Sequence, residues 1–178
     1  MELNDVDIEI LSTLGNFKCE EDINANKANT VNLPNLQEAR FIYAYNATTV
    51  NLPNLQEAKY ISASNATTVN LPNLQDAGFI NTPNATTVNL PKLQYAGGIN
   101  ASYATTVNLS NLQHSVSIYA SKAKKIIIPS HLKRNLKSVP EDCEIIHPDL
   151  EATPKLESFK TFFFKKTSKN PCNPTVSW

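Results

Sequence analysis

The stretch ATTVNLPNLQEAKYISASN (Ala47 to Asn65) occurs five times in near-identical form, and this repeat of 19 residues decides the fold. The five copies together cover residues 28–122. A fixed period of this length is typical of solenoids, in which each turn buries its apolar face only against the neighbouring turns. Such a molecule presents long surfaces rather than one enclosed pocket, so the sequence favours binding over catalysis.

Aligned turns place equivalent residues in columns, and six of these columns are apolar or small. The V-x-L and I-x-A spacings have a period of two, which is typical of strands. Each turn is therefore predicted to contain two short strands, around TVNL and around FIYA, and a proline ends the first of them. The sequence predicts a mainly β fold, a parallel β-solenoid. In the second turn its core columns are Val50, Leu52, Leu55, Ala58, Ile61 and Ala63.

The pattern L-P-x-L-x-x-A-x-x-I-x-A-x-N-A-x-x-V, as in Leu52 to Val69, resembles a short leucine-rich repeat. It is similar to the bacterial types with L-P at the start of the turn and to the surface-protein type with a V-x-I-P strand. The resemblance covers about residues 23–128, with Ala in place of Leu at two core columns. It implies a solenoid that serves as a binding scaffold, and it implies no particular partner.

The segments beside the repeats are predicted to cover the two open ends of the solenoid, because uncovered strand edges invite aggregation. Residues 1–27 are assigned to an N-terminal cap in which residues 1–22 cover the edge, with a short helix around Val6 to Leu14. Residues 123–149 are assigned to a partial sixth repeat and an α/β C-terminal cap. In that cap a helix begins at Ser130 and a last strand begins at Glu144.

Charge is unevenly distributed, although 16 basic residues balance 16 acidic ones. Residues 1–27 contain two basic and seven acidic side chains, a net charge of −5, whereas residues 122–178 contain eleven and six, a net charge of +5. This polarity predicts, as one alternative, a homo-oligomer in which copies dock head to tail. The irregular tail, residues 150–178, also places phenylalanines among lysines. Such a segment could contact a membrane or nucleic acid, although packing against the cap is favoured for Phe159, Phe162, Phe163 and Phe164.

No set of residues predicts catalysis, a cofactor site or a metal site. His131, Cys143 and His147 lie near one another in sequence, but no third group at a recognisable spacing would orient a Cys–His pair. The three cysteines are far apart and form no CxxC motif, so reduced thiols are expected. The sequence shows no signal peptide and no apolar run of membrane-spanning length, so we expect a cytoplasmic protein.

Positions that vary between turns are the candidates for recognition, because repeat proteins keep their scaffold columns constant. Residues 41, 43 and 45 alternate with the core residues Ile42 and Ala44, so they are predicted to project from one sheet face. Aromatic and arginine side chains carry much of the energy of protein interfaces. The predicted protein-binding residues are Arg40, Phe41, Tyr43, Tyr45, Lys59, Tyr60, Phe79, Tyr95 and Tyr119.

The preferred hypothesis is a non-enzymatic scaffold that binds another protein, suited to a bacterial effector or a phage inhibitor of a host protein. The invariant threonine and asparagine columns offer another alternative. They form a regular T-x-N lattice that resembles the T-x-T faces of solenoids that bind ice or other surfaces. Hydrogen bonding between identical side chains up the stack explains the same regularity without a ligand.

Overall fold

The solenoid contains about seven turns in the computed structural model, which describes residues 2–151. Every complete turn contributes one strand to each of two parallel sheets. Two tight turns form the corners: in the second repeat, Leu55 N–H donates to Leu52 C=O (3.2 Å) and Ala66 N–H donates to Ala63 C=O (3.1 Å). The first corner contains the repeated proline, which suits such a turn because its φ is already restricted.

The two sheets differ in strand length, and we name them accordingly. The long-strand sheet has eight strands: Phe17–Cys19, Ile23–Asn24, Leu36–Tyr43, Glu57–Ser62, Asp76–Asn81, Tyr95–Asn100, His114–Tyr119 and Leu136–Lys137. The short-strand sheet has seven strands: Thr30–Asn32, Thr49–Asn51, Thr68–Asn70, Thr87–Asn89, Thr106–Asn108, Lys125–Ile127 and Glu144–Ile146. All repeat strands pair with the same residue of the next turn, as Ile42 does with Ile61.

The core lies between the sheets and consists of the predicted columns. Ile61, Leu52 and Leu55 are fully buried, as are their equivalents in the other complete turns. A further column, the alanine that begins each turn, is also buried, with 0% exposure at Ala47 and Ala66. The chain turns a corner at this position, and only a small side chain fits inside the corner. The sequence therefore predicted the core columns correctly but omitted this one.

The N-terminal segment differs from its predicted description. An α-helix, Asp5–Ser12, is present close to the predicted place, and we call it the end helix. However, Phe17–Cys19 and Ile23–Asn24 are already strands that pair with Leu36–Tyr43. The solenoid therefore begins within the stretch that the sequence analysis assigned to the cap. Ile23 matches the isoleucine column of the repeat, within the predicted span of residues 23–128, and it pairs with Ile42. Phe17–Cys19 lacks the motif, so the pattern did not reveal this strand.

The C-terminal segment contains the predicted order of strand, helix and strand, with one correction. Residues Ser130–Asn135 form a 3₁₀ helix rather than an α-helix. The tighter helix ends directly before Leu136–Lys137, which pairs with the strand of the preceding turn. A short α-helix, Pro148–Glu151, follows the predicted last strand. The predicted contacts of the phenylalanine-rich tail lie outside the described residues. Within residues 2–151, none of the helices has the length and apolar character needed to cross a bilayer.

Candidate protein interface

Five aromatic side chains form a continuous row on the outer face of the long-strand sheet. We call Phe41, Tyr43, Tyr45, Tyr60 and Phe79 the aromatic ladder. Ring centroids lie 6.0 Å apart for Phe41 and Tyr43, 5.9 Å for Tyr43 and Tyr45, 5.8 Å for Tyr43 and Tyr60, and 6.0 Å for Tyr60 and Phe79. These distances are within the range of favourable aromatic pairs. The ladder runs both along one strand and across three turns.

Strand geometry positions the ladder. Phe41, Tyr60 and Phe79 occupy one register position in successive strands. Tyr43 follows Phe41 on the same side of the strand Leu36–Tyr43, and Tyr45 lies two residues beyond the end of that strand. The rings shield one another, so four of them are partly buried and Tyr45 is 39% exposed. The surface therefore presents aromatic groups that are already held in place, and ordering them on binding costs little entropy.

The ladder ends at Phe79, because the next turn has no side chain at the equivalent position. A Cβ atom added at Gly98 would lie 2.7 Å from Phe79 Cε2, so the Phe79 ring rests directly over this glycine. Gly98 is consequently buried although it lies on the outer face. The aromatic surface is thus confined to the first three repeats.

Charged side chains border the ladder on one side. The guanidinium carbon of Arg40 lies 5.1 Å from the centre of the Phe41 ring, within cation–π distance. Arg40 and Lys59 also line a groove of about 580 Å³ together with Glu57 and Asp76. The hydrogen bond to Glu38, with the charge of that carboxylate, raises the pKa of Lys18 above its ordinary value. The groove therefore contains both signs of charge.

A network of polar side chains borders the ladder on its other side, and the sequence analysis did not identify it. Asn100 Nδ2 donates to Asn81 Oδ1 (2.9 Å), and Asn81 Nδ2 donates to Ser64 Oγ (3.0 Å). Ser102 Oγ donates to Asn100 Oδ1 (2.6 Å). These side chains belong to the variable columns of residues 43 and 45. Those columns change from tyrosine in the first repeat to asparagine and serine in later repeats, and this change could have revealed the network from the sequence. The outer face is thus aromatic at one end and polar at the other.

The Tyr43 hydroxyl is the titratable group most affected by the ladder. Burial among the neighbouring rings raises its pKa, and the Asp22 carboxylate and the neighbouring tyrosines raise it further. Arg40 acts in the opposite direction with a smaller effect. The hydroxyl therefore stays protonated at neutral pH and offers a partner a neutral hydrogen-bonding group.

Two of the nine predicted residues lie apart from the ladder. Tyr95 occupies the column of Glu57 and Asp76, and its hydroxyl donates to Gln113 Oε1 (2.8 Å). Tyr119 occupies the column of Tyr43 but four turns away, roughly 19 Å at the usual strand spacing. Both are exposed, at 46% and 41% respectively. The structure thus unites the predicted residues of the first three repeats and separates these two tyrosines from them.

The outer face of the short-strand sheet is the other extended surface. Threonines and asparagines line a shallow trough of about 710 Å³. Amide hydrogen bonds join Asn51 to Asn32 (2.7 Å), Asn70 to Asn51 (2.7 Å) and Asn108 to Asn89 (2.8 Å). Much of the hydrogen-bonding capacity of this column is therefore used within the molecule.

The histidines and cysteine considered for catalysis serve structural contacts. His131 Nε2 forms a hydrogen bond with the Gln113 carbonyl oxygen (3.0 Å), and His147 Nδ1 forms one with the Ile128 carbonyl oxygen (2.8 Å). Burial raises the pKa of the Cys143 thiol, so less of the nucleophilic thiolate is present. Among residues 2–151 no group of three or more side chains is arranged to hold a metal ion.

Comparison with known proteins finds no family model, no curated protein and no solved structure that matches this chain. The case for a function therefore rests on the geometry of the two outer faces.

Proposed function

We propose that this chain is a non-enzymatic scaffold, of a leucine-rich-repeat-like kind, that binds another protein through the aromatic ladder. The observation that carries this proposal is the clustering of five aromatic rings, with Arg40, on one outer face. Tyrosine and arginine are enriched among the residues that dominate binding energy, and such residues cluster in well-packed patches. The neighbouring amide and hydroxyl network would supply the polar rim that surrounds such a patch.

The form of the surface favours a protein over a small molecule as the partner. The ladder lies on an open sheet face and not inside a cavity, whereas small-molecule sites are concave and enclose most of their ligand. Charges of both signs in the bordering groove argue against nucleic acid, which requires a predominantly basic surface. A scaffold of this kind, acting in the cytoplasm as an effector or inhibitor, would block its target by covering it.

The test is affinity capture with chemical cross-linking, followed by measurement of the affinity for the captured protein. We expect the double substitution Tyr43→Ala, Tyr60→Ala to weaken binding by about 30-fold or more, which corresponds to about 2 kcal/mol at an interface hot spot. The matched control is Tyr103→Ala, Tyr119→Ala, which removes two exposed tyrosines outside the ladder and should leave affinity unchanged.

The same experiment distinguishes the alternative surface. Thr68→Lys places a long charged side chain in the threonine and asparagine trough and leaves the ladder intact. If Thr68→Lys abolishes capture while the ladder variant retains it, the binding site lies on the short-strand sheet and the proposal is wrong. The prediction of an ice- or surface-binding lattice applies to that same face, and it remains a prediction.

A further inference from the structure

Successive turns of the short-strand sheet are joined at one recurrent point. The carbonyl oxygen of Thr48 accepts hydrogen bonds from the N–H groups of Thr67 (3.0 Å) and Thr68 (3.3 Å). The carbonyl oxygen of Thr105 accepts from Lys124 (2.8 Å) and Lys125 (3.1 Å) in the same way. These two carbonyls thus each bind two consecutive N–H groups of the following turn, whereas in the turns between them one N–H donates, as Thr86 does to Thr67 (3.0 Å).

The first strand of this sheet has the same pair of N–H groups but no preceding strand. A side chain of the end helix supplies the missing acceptor: Asp5 Oδ1 accepts from the N–H groups of Asn29 (2.8 Å) and Thr30 (3.1 Å). Asp5 Oδ2 also accepts from Asn29 Nδ2 (2.9 Å). One carboxylate therefore replaces the carbonyl of an absent turn and satisfies the exposed edge.

The opposite end of the same sheet offers the carbonyl that Asp5 imitates. In the last turn, Glu144 N–H donates to the Lys124 carbonyl (2.9 Å), whereas Cys143 N–H donates to the Pro140 carbonyl (3.2 Å), so one of the two bonds of the series is present. Cys143 occupies the next position of that series, 19 residues after Lys124. Among residues 2–151 no N–H group donates to the Cys143 carbonyl. The two N–H groups at one end of the sheet thus correspond in register to this carbonyl at the other end.

We propose that the N-terminal end of the solenoid is an interaction surface for a second copy of this chain, and that the end helix keeps it closed through Asp5. When the end helix moves away, the N–H groups of Asn29 and Thr30 would donate to the Cys143 carbonyl of a second copy. The short-strand sheet would then continue from one copy into the next. Such a head-to-tail contact does not close on itself, so the product is a filament.

The attachment of the end helix makes this opening physically reasonable. Ile8 is its only fully buried residue, whereas Val6 and Ile10 on its outer side are 63% and 60% exposed. A groove of about 360 Å³ separates part of the helix from the edge strand near Asn32. Leu11 also packs against the core, and hydrogen bonds from Leu3 N–H to the Asn24 carbonyl (2.6 Å) and from Asn35 Nδ2 to the Leu14 carbonyl (2.6 Å) hold the flanking residues. Within residues 2–151, however, Asp5 is the one side chain of the helix that hydrogen-bonds to the first strand of the short-strand sheet. This inference is independent of the function proposed for the aromatic ladder.

The experiment compares three substitutions in the full chain by sedimentation velocity over a wide concentration range and by electron microscopy. We expect Asp5→Ala to form single-file rods with a mean mass several-fold above that of the monomer. Asp5→Asn should remain monomeric, because its amide oxygen can still accept from both N–H groups. Asp7→Ala is the matched control, because Asp7 bonds within the helix cap (2.9 Å to Asn4 N–H) and not to the strand edge.

A mixing experiment then tests the direction of assembly. Wild-type protein has a closed N-terminal end, and within residues 2–151 no N–H group donates to its Cys143 carbonyl, so it should add to one end of a rod and stop growth there. Adding wild-type protein should shorten the Asp5→Ala rods in proportion to the amount added. A folded, monomeric Asp5→Ala variant would overturn the proposal. So would equal assembly by Asp7→Ala, wild-type rods, or rods whose length does not respond to wild-type protein.

Discussion

Individual glycines determine where the aromatic surface ends and how closely adjacent turns approach. A Cβ atom at Gly78 would lie 2.3 Å from the Lys59 carbonyl oxygen, and one at Gly97 would lie 2.4 Å from the Gly78 carbonyl oxygen. At Gly78 and Gly97 the main chains of adjacent turns therefore contact each other directly. The first two repeats have Arg40 and Lys59 in the same column. Gly98 in turn provides the floor beneath the Phe79 ring. Single residues thus give nearly identical turns different surfaces.

The substitution Gly98→Ala tests this role. The added methyl group would overlap the Phe79 ring, which ends a flexible side chain on the open face. We therefore expect the ring to rotate away, with a loss of less than about 1 kcal/mol in the free energy of unfolding. The Phe79 ring should also move relative to Tyr60, which NMR contacts between the two rings would report. Gly15→Ala is the control, because no atom lies within 4 Å of the added methyl group. An unchanged position of the Phe79 ring in Gly98→Ala would contradict the prediction.

At the scale of elements, each strand depends on its neighbours. Strands of three residues, such as Thr49–Asn51, have too few hydrogen bonds to be stable alone, and they persist because each pairs with a strand on either side. The end helix has eight residues and also relies on specific side chains. Asn4 accepts from the N–H groups of Val6 (2.9 Å) and Asp7 (3.2 Å), which caps the helix, while Asp5 fixes it to the first strand.

The attachment of the end helix should depend on pH. Hydrogen bonds from Thr30 and Asn29 hold the pKa of Asp5 below its ordinary value. Because this pKa is lowered in the folded state, the contribution of the ionised Asp5 carboxylate to folding stability is complete above about pH 4, its ordinary pKa. That contribution is lost as the pH falls through the lowered pKa. In an NMR titration, the chemical shift of the Thr30 amide should therefore change at a pH below about 4, the ordinary pKa of an aspartate. The same signal in Asp5→Asn should not titrate, and a shift that persists there would contradict this assignment.

The whole molecule is a one-dimensional stack in which each turn contacts only the adjacent turns. Its stability is distributed along the length, because the core between the sheets is built from buried columns that repeat from turn to turn. The aromatic side chains of the outer face are not spread along the length, since the aromatic ladder occupies only the first three repeats. The fold therefore tolerates changes in turn number more readily than the proposed binding surface does.

Deleting one complete repeat tests this separation. Removal of residues 104–122 or of residues 47–65 joins strands in the same register, so both variants should retain a β-rich circular dichroism spectrum and a cooperative unfolding transition. Only the deletion of residues 47–65 removes Tyr60 from the middle of the ladder. We expect that deletion to abolish capture of the partner and the deletion of residues 104–122, which keeps Gly98 beneath Phe79, to preserve it. The reverse result would place binding outside the ladder.

The sequence by itself determined the solenoid, because a repeat of constant length stacks each residue on its own equivalent. This rule places Ile61 against Ile42 and Ile80, and it buries the predicted columns without further information. It also placed residues 41, 43 and 45 on one outer face. Where the repeated motif is absent, as in Phe17–Cys19 and Ser130–Asn135, the prediction of cap and helix type was incomplete or wrong.

Only the tertiary structure decided which variable residues come together. The contact of Tyr43 with both Tyr45 and Tyr60 depends on side-chain directions, whereas column membership alone would have grouped Tyr43 with Tyr119. The bond from Asp5 to the main chain of Asn29 joins residues 24 positions apart, outside the period of the repeat. Periodicity specifies main-chain stacking, because that stacking is the same in every turn. Contacts made by side chains that differ between turns depend on the three-dimensional arrangement of their particular neighbours.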